Sequence, residues 1–135
     1  MFANRQTCDL LIADAERAAA AADWPLCSSI VARVTDALRR RICGEESVLF
    51  PALMRMVSAT KLPVQHMRGE HIRLGMLLDR LVSALAEQNG ETFLACCENL
   101  LPVLRRHIAR EERVLYAIAE QVVMQPIAAD RGMPS

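Results

Sequence analysis

One internal repeat constrains this chain more than any other feature. Residues 38–50 read LRRRICGEESVLF, and residues 104–116 read LRRHIAREERVLY. At a constant offset of 66, eight of the thirteen positions are identical, and Phe50 against Tyr116 is a near match. Two copies of one amphipathic segment call for a fold with two similar halves. The difference with most consequence is Arg41 against His107. A His and a Glu four residues apart share one face of a helix, which is metal-ligand geometry. His107 and Glu111 have that spacing, whereas Arg41 and Glu45 keep the carboxylate without the imidazole.

The apolar residues around the repeat recur at helical spacing. An Ala-rich first helix is expected over about residues 3–22. Asp23-Trp24-Pro25 then supplies a cap and a first-turn proline for a second helix. Its inward stripe reads Cys27, Val31, Val34, Leu38, Arg41, Glu45 and Val48, and it should end or kink near Pro51. The third helix opens at Pro63, carries Val64, Met67, His71, Leu74, Leu78, Leu81 and Leu85, and stops at Asn89-Gly90. The fourth carries Cys97, Leu100, Leu104, His107, Glu111, Val114 and Ile118, with Pro102 as a point where it can kink. Four narrow stripes with short joins predict an all-α, up-down-up-down four-helix bundle over residues 1–124. The repeat makes it pseudo-twofold. Pro126, Gly132 and Pro134 suggest a flexible tail over 125–135.

Composition narrows the function classes. Sixteen basic and sixteen acidic residues cancel, so no global charge favours nucleic acid or an anionic membrane. No stretch approaches the roughly 20 apolar residues that span a bilayer. The start, Met1 to Asp9, lacks the apolar run of a signal peptide, which points to the cytoplasm. Five cysteines (Cys8, Cys27, Cys43, Cys96, Cys97) without CxxC spacing read as reduced thiols serving mainly as small core residues. The Arg39-Arg40-Arg41 cluster has a counterpart in Arg105-Arg106, so it reads as architecture and not as a nucleic-acid patch.

Five polar residues interrupt the stripes and should point inward: Arg41, Glu45, His71, His107 and Glu111, with Arg5 as a further candidate. Burying such groups unpaired costs several kcal/mol each, so something must compensate them. A divalent metal held by His71, His107, Glu45 and Glu111 is the simplest solution, because facing histidines and carboxylates build metal sites inside helical bundles. His66 lies five residues from His71, roughly 140° around the helix, and should be exposed. Glu46, Glu70 and Glu112 lie beside the inward positions, as solvated residues or as partners of the inward ones.

At these residues the chain resembles the hemerythrin-like (HHE cation-binding) family. His107-Ile-Ala-Arg-Glu111-Glu112-Arg-Val-Leu-Tyr116 is similar to that family's last ligand motif, and Glu70-His71 to its third-helix motif. Arg41 through Pro51 is similar to its second-helix motif with the His missing. The similarity covers about residues 3–120. It implies a bundle holding two irons, with Glu45 and Glu111 as bridging carboxylates and His71 and His107 serving one metal. Family members bind oxygen, respond to nitric oxide or redox stress, or handle iron. This chain departs from the pattern, since its first 65 residues contain no His. The offset of 66 maps His107 to Arg41 and His71 to Arg5. A guanidinium is permanently charged and cannot ligate a metal. It can pair with the two carboxylates, so Arg41, with Arg5, is expected to replace the first metal electrostatically. One iron is then expected, in a mononuclear two-histidine, two-carboxylate site.

The leading expectation is therefore an iron-binding, hemerythrin-like protein that senses or binds a small diatomic ligand or handles iron. The competing one is a metal-free degenerate bundle acting through protein–protein contact, as a homodimer or a regulator. A thiol switch at Cys43 or Cys96-Cys97 is a third. The sequence shows no nucleophile–base pair and no cofactor loop, so enzymatic activity has no support in it.

Overall fold

The computed structural model describes the backbone of residues 5–132 and the side chains of residues 7–120. Helix α1 spans Arg5–Ala20 and α2 spans Trp24–Gly44. A π-helical turn, Glu45–Leu49, leads without a break into α3, Phe50–Met56. A 3-10 turn at Ser58–Thr60 precedes α4, Lys61–Glu87, and α5 spans Gly90–Gly132. With α2, the π turn and α3 forming one arm, the chain has four helical arms and, among the described residues, no strand. α1 lies against α2 and α5, and α4 lies against α5 and α2. This is the all-α bundle that the stripes predict.

The repeat reaches further than its motif. At the end of α1, Ala22 takes a left-handed conformation (φ 54°) and the Asp23 N–H bonds the Ala18 carbonyl at 2.8 Å. The Asp23 carboxylate then accepts the Leu26 N–H at 3.2 Å and caps α2. At the end of α4, Gln88 is left-handed (φ 53°) and the Asn89 N–H bonds the Ala84 carbonyl at 3.3 Å. The Asn89 side chain accepts the Thr92 N–H at 3.1 Å. Every residue of the second junction lies 66 positions after its counterpart in the first. A left-handed residue other than glycine costs about 1 kcal/mol, and both halves accept that cost for the same sharp turn. The third helix stops just before Asn89-Gly90, as expected, with Gln88 as the left-handed end of α4 and Asn89 capping α5.

The halves part company at Glu45. Pro51 has no N–H to give, which argued for an end or a kink. The regular α-helix does end nearby, at Gly44, but the arm goes on. It widens by one residue, with the Phe50 N–H reaching back five residues to the Glu45 carbonyl, and continues to Met56. The Ser47 hydroxyl donates to the Cys43 carbonyl within this turn, at 2.6 Å. One extra residue rotates everything after it by about 100°. Val48, expected inside, is therefore 69% exposed, while Phe50 is fully buried. Tyr116, the counterpart of Phe50 in the regular helix α5, is 75% exposed.

Two apolar clusters fill the interior. The larger includes Cys8, Ile12, Cys27, Val31, Val34, Leu38, Leu74, Leu78, Leu81, Cys97, Leu100 and Leu104. The smaller consists of Phe50, Leu53, Val64, Met67 and Ile118. Along α2, α4 and α5 alike, ionisable residues separate one cluster from the other. Exposed ion pairs clip the outside: Arg39–Asp79 between α2 and α4, Arg105–Asp9 between α5 and α1, each 3.2 Å, and Arg40–Asp36 within α2. Each contributes at most about 1 kcal/mol. They give the arginine cluster the architectural role expected of it. α5 runs through Pro102 as one helix. The tail expected over 125–135 falls largely on side chains outside the described residues. Among those described, no helix is long and apolar enough to cross a membrane.

Candidate metal centre

Arg41 and Glu45 from the second arm, His71 from α4, and His107 and Glu111 from α5 meet in the layer between the two apolar clusters. None is more than 8% exposed. The sequence expectation that all five point inward is met. Arg5, the further candidate, has a side chain outside the described residues. A buried layer of five ionisable groups is costly unless each finds a partner.

The histidines are oriented from outside. His71 Nδ1 lies 2.8 Å from Glu46 Oε2, and His107 Nδ1 lies 2.9 Å from Glu70 Oε1. An ionised carboxylate only accepts, so each Nδ1 carries a proton and donates it. Arg110 Nε donates to the other oxygen of Glu70 at 3.1 Å and fixes that carboxylate in turn. Phe50 stacks on the His71 ring, with centroids 5.3 Å apart and planes within 16°. With Nδ1 held by a carboxylate, each ring turns its Nε2 inward, and Nε2 can coordinate a metal once it carries no proton.

The two Nε2 atoms converge. His71 Nε2 and His107 Nε2 are 3.1 Å apart. Glu45 Oε1 lies 2.7 Å from the first and 3.2 Å from the second. These are three buried ligand atoms within one another's reach, a group able to hold a metal ion. Ligand atoms about 2.1 Å from a common ion and near right angles to one another are about 3.0 Å apart, which matches these separations. Glu111 Oε2 lies 3.6 Å from His107 Nε2 and is the buried side-chain atom left without a hydrogen-bond partner among the described residues. A buried carboxylate oxygen without a hydrogen-bond partner, beside three converging ligand atoms, fits a cation. The donor set fits a divalent ion of the iron or zinc kind.

The other edges of the carboxylates face Arg41. Its Nε donates to Glu45 Oε2 at 3.0 Å, and its Nη2 donates to Glu111 Oε1 at 2.9 Å. Each carboxylate is thus divided, one oxygen toward the histidines and one toward the guanidinium.

The charges respond to this layout. Burial alone would raise Glu45, but hydrogen bonds from His107, His71 and Arg41 hold it well below the usual carboxylate range. Burial and the adjacent Glu45 push Glu111 up to about 7, against the pull of Arg41. Burial opposes a charged His107, yet bonds to Glu45 and Glu70 raise it. Without a metal the layer therefore recruits protons.

The remaining candidates separate cleanly. His66, Glu112 and Cys43 are exposed, Cys96 is half-buried, and Cys8, Cys27 and Cys97 are buried. Burial pushes the Cys97 thiol up to about 12, which suits packing and not a reactive thiol. Neither Phe50 over His71 nor Arg110 bracing Glu70 is among the pairs the sequence singles out. The first follows from the π turn, and the second joins residues 40 apart with no local signature.

Fold and site together define a helical bundle with a buried group of two histidines and a carboxylate that could hold a metal ion. The family model for the hemerythrin HHE cation binding domain matches residues 4–119, and the chain belongs to that family. No curated protein and no solved structure matches it.

Proposed function

We propose that this chain holds one divalent cation, iron, through His71, His107, Glu45 and Glu111, and uses it to bind or sense a small ligand such as oxygen or nitric oxide, or to handle iron. The observation that carries the proposal is the convergence of His71 Nε2, His107 Nε2 and Glu45 Oε1 within 2.7–3.2 Å, three buried atoms of metal-ligating type. A bound iron would supply a one-electron redox couple and a position for a small ligand. The chain's residues supply the rest. Glu46 and Glu70 keep the ring protons on Nδ1, so that Nε2 stays available. The Phe50 ring covers one face of His71 and keeps water off it. Two-electron oxygen carriage by a pair of irons is not part of the proposal, because the first 65 residues contain no histidine.

One observation favours a second reading. Arg41 already pairs with both carboxylates, and Glu111 can hold a proton near neutral pH, which together balance the charge. A metal-free bundle of this sequence would be electrostatically tolerable. It would then act through contact with a second copy or a regulatory partner, and exposed Leu62, Ile72 and Met76 on α4 offer apolar surface for that.

Elemental analysis after anaerobic loading with Fe(II) separates the two, run beside His71→Ala, His107→Ala double-substituted protein. Close to one ion per chain, lost in the variant, is the expected result. No ion in either protein leaves the metal-free reading.

A further inference from the structure

We infer that Arg41 is a resident cation that occupies the second ion position of this centre and limits the chain to one exchangeable ion. The inference rests on the one-ion reading above and adds what sets the number.

Its basis is the division of the two carboxylates. A carboxylate that bridges two cations directs one oxygen at each. Glu45 sends Oε1 to the histidines, at 2.7 and 3.2 Å, and Oε2 to Arg41 Nε at 3.0 Å. Glu111 directs Oε2 toward His107, at 3.6 Å, and Oε1 to Arg41 Nη2 at 2.9 Å. Both are thus in bridging posture, and both share the same two ends. The histidine end is a set of atoms that can ligate a metal. The other end is a guanidinium whose nitrogens already hold the oxygens a second ion would need.

Position in the repeat agrees with this. Arg41 is the counterpart of His107 at an offset of 66, on a helix entered through the same cap and turn. Its side chain therefore starts from the place where a ligand would start and ends on the same two carboxylates. It is only 8% exposed, so it does not reach for solvent. Cys8 on α1 lies close enough to feel its charge, which draws the thiol's pKa down against a larger rise from burial. A guanidinium neither dissociates nor deprotonates in a protein. The charge at this end is consequently fixed, and only the histidine end can load and unload.

The test compares wild type with R41H, R41A and R41K. Each full-length protein is loaded anaerobically with excess Fe(II), and metal per chain is measured together with the melting temperature with and without metal. Wild type and R41K, which keeps a cation, are expected to hold one ion. R41H should hold about two. R41A should exceed one only at high metal, because two carboxylates alone bind weakly. Without metal, R41A and R41H should melt below wild type and recover more than wild type does on loading. R41H and R41A folded at the wild-type count and with the wild-type metal response would overturn the inference. R41H unfolded both with and without metal overturns it too, since an ion then fails to stand in for the guanidinium. The two proposals fail differently. Wild type holding none while R41H holds one removes the one-ion reading and keeps Arg41 as the resident cation. Wild type and R41H both holding one does the reverse.

Discussion

Phe50 and Tyr116 occupy equivalent positions in the repeat, yet replacing them should have opposite consequences. Phe50 is fully buried in the smaller apolar cluster and stacks on His71. Tyr116 is 75% exposed. Truncating a buried phenylalanine to alanine typically costs about 3–5 kcal/mol, from lost burial and from the cavity left behind. For a chain of this length each kcal/mol corresponds to about 3–4 °C in melting temperature, so F50A should melt roughly 10–18 °C lower. Y116A, on an exposed helix face, should stay within about 0.5 kcal/mol of wild type. Urea denaturation followed by far-ultraviolet circular dichroism, on metal-free protein, reads both. The difference exists only because the π turn at Glu45–Leu49 rotates one copy of the motif and not the other. Equal losses from the two substitutions, or a loss below about 1 kcal/mol for F50A, would mean that the second arm keeps the regular helical register and that Val48 is the inward residue.

Two further outcomes follow from the centre itself. Glu70 is mostly buried and braced by Arg110, whereas Glu46 is 42% exposed on its side chain, so E70A should weaken Co(II) binding more than E46A. Removing a carboxylate that orients a ligating histidine typically costs 10–100-fold in affinity, and equilibrium dialysis giving equal affinities for both variants would contradict that ranking. In metal-free protein Glu111 is raised to about 7 and His107 is raised as well, so the folded state holds protons that the unfolded state has released. Stability from these groups is present in acid and is lost as pH climbs through about 7. A bound ion displaces the protons, so the melting-temperature gap between loaded and metal-free protein should widen from pH 6 to pH 8. A constant gap across that range would count against a centre that trades protons for metal.

The sequence made the bundle and most of the centre legible because both rest on periodicity. Inward positions at 3–4 spacing brought Glu45, His71, His107 and Glu111 to one layer, and the repeat predicted that Arg41 would lie there too. Three things were hidden. The π turn was hidden because Pro51 signals only a missing N–H, and a chain can answer that by stopping, kinking or widening. Its effect on Val48 and Phe50 was lost with it. Arg110 reaches Glu70 across two helices, a pairing no local rule encodes. The division of each carboxylate between the histidines and Arg41 depends on side-chain torsions, which a helical wheel does not contain.

The most direct test of a single ion held opposite a resident arginine is anomalous diffraction from crystals loaded with Fe(II) or Co(II). The account predicts one anomalous peak per chain, within bonding distance of His71 Nε2, His107 Nε2 and Glu45 Oε1, with the Arg41 guanidinium still on the far oxygens of Glu45 and Glu111. Two peaks bridged by those carboxylates with Arg41 swung aside, or no peak at the histidines, would contradict it.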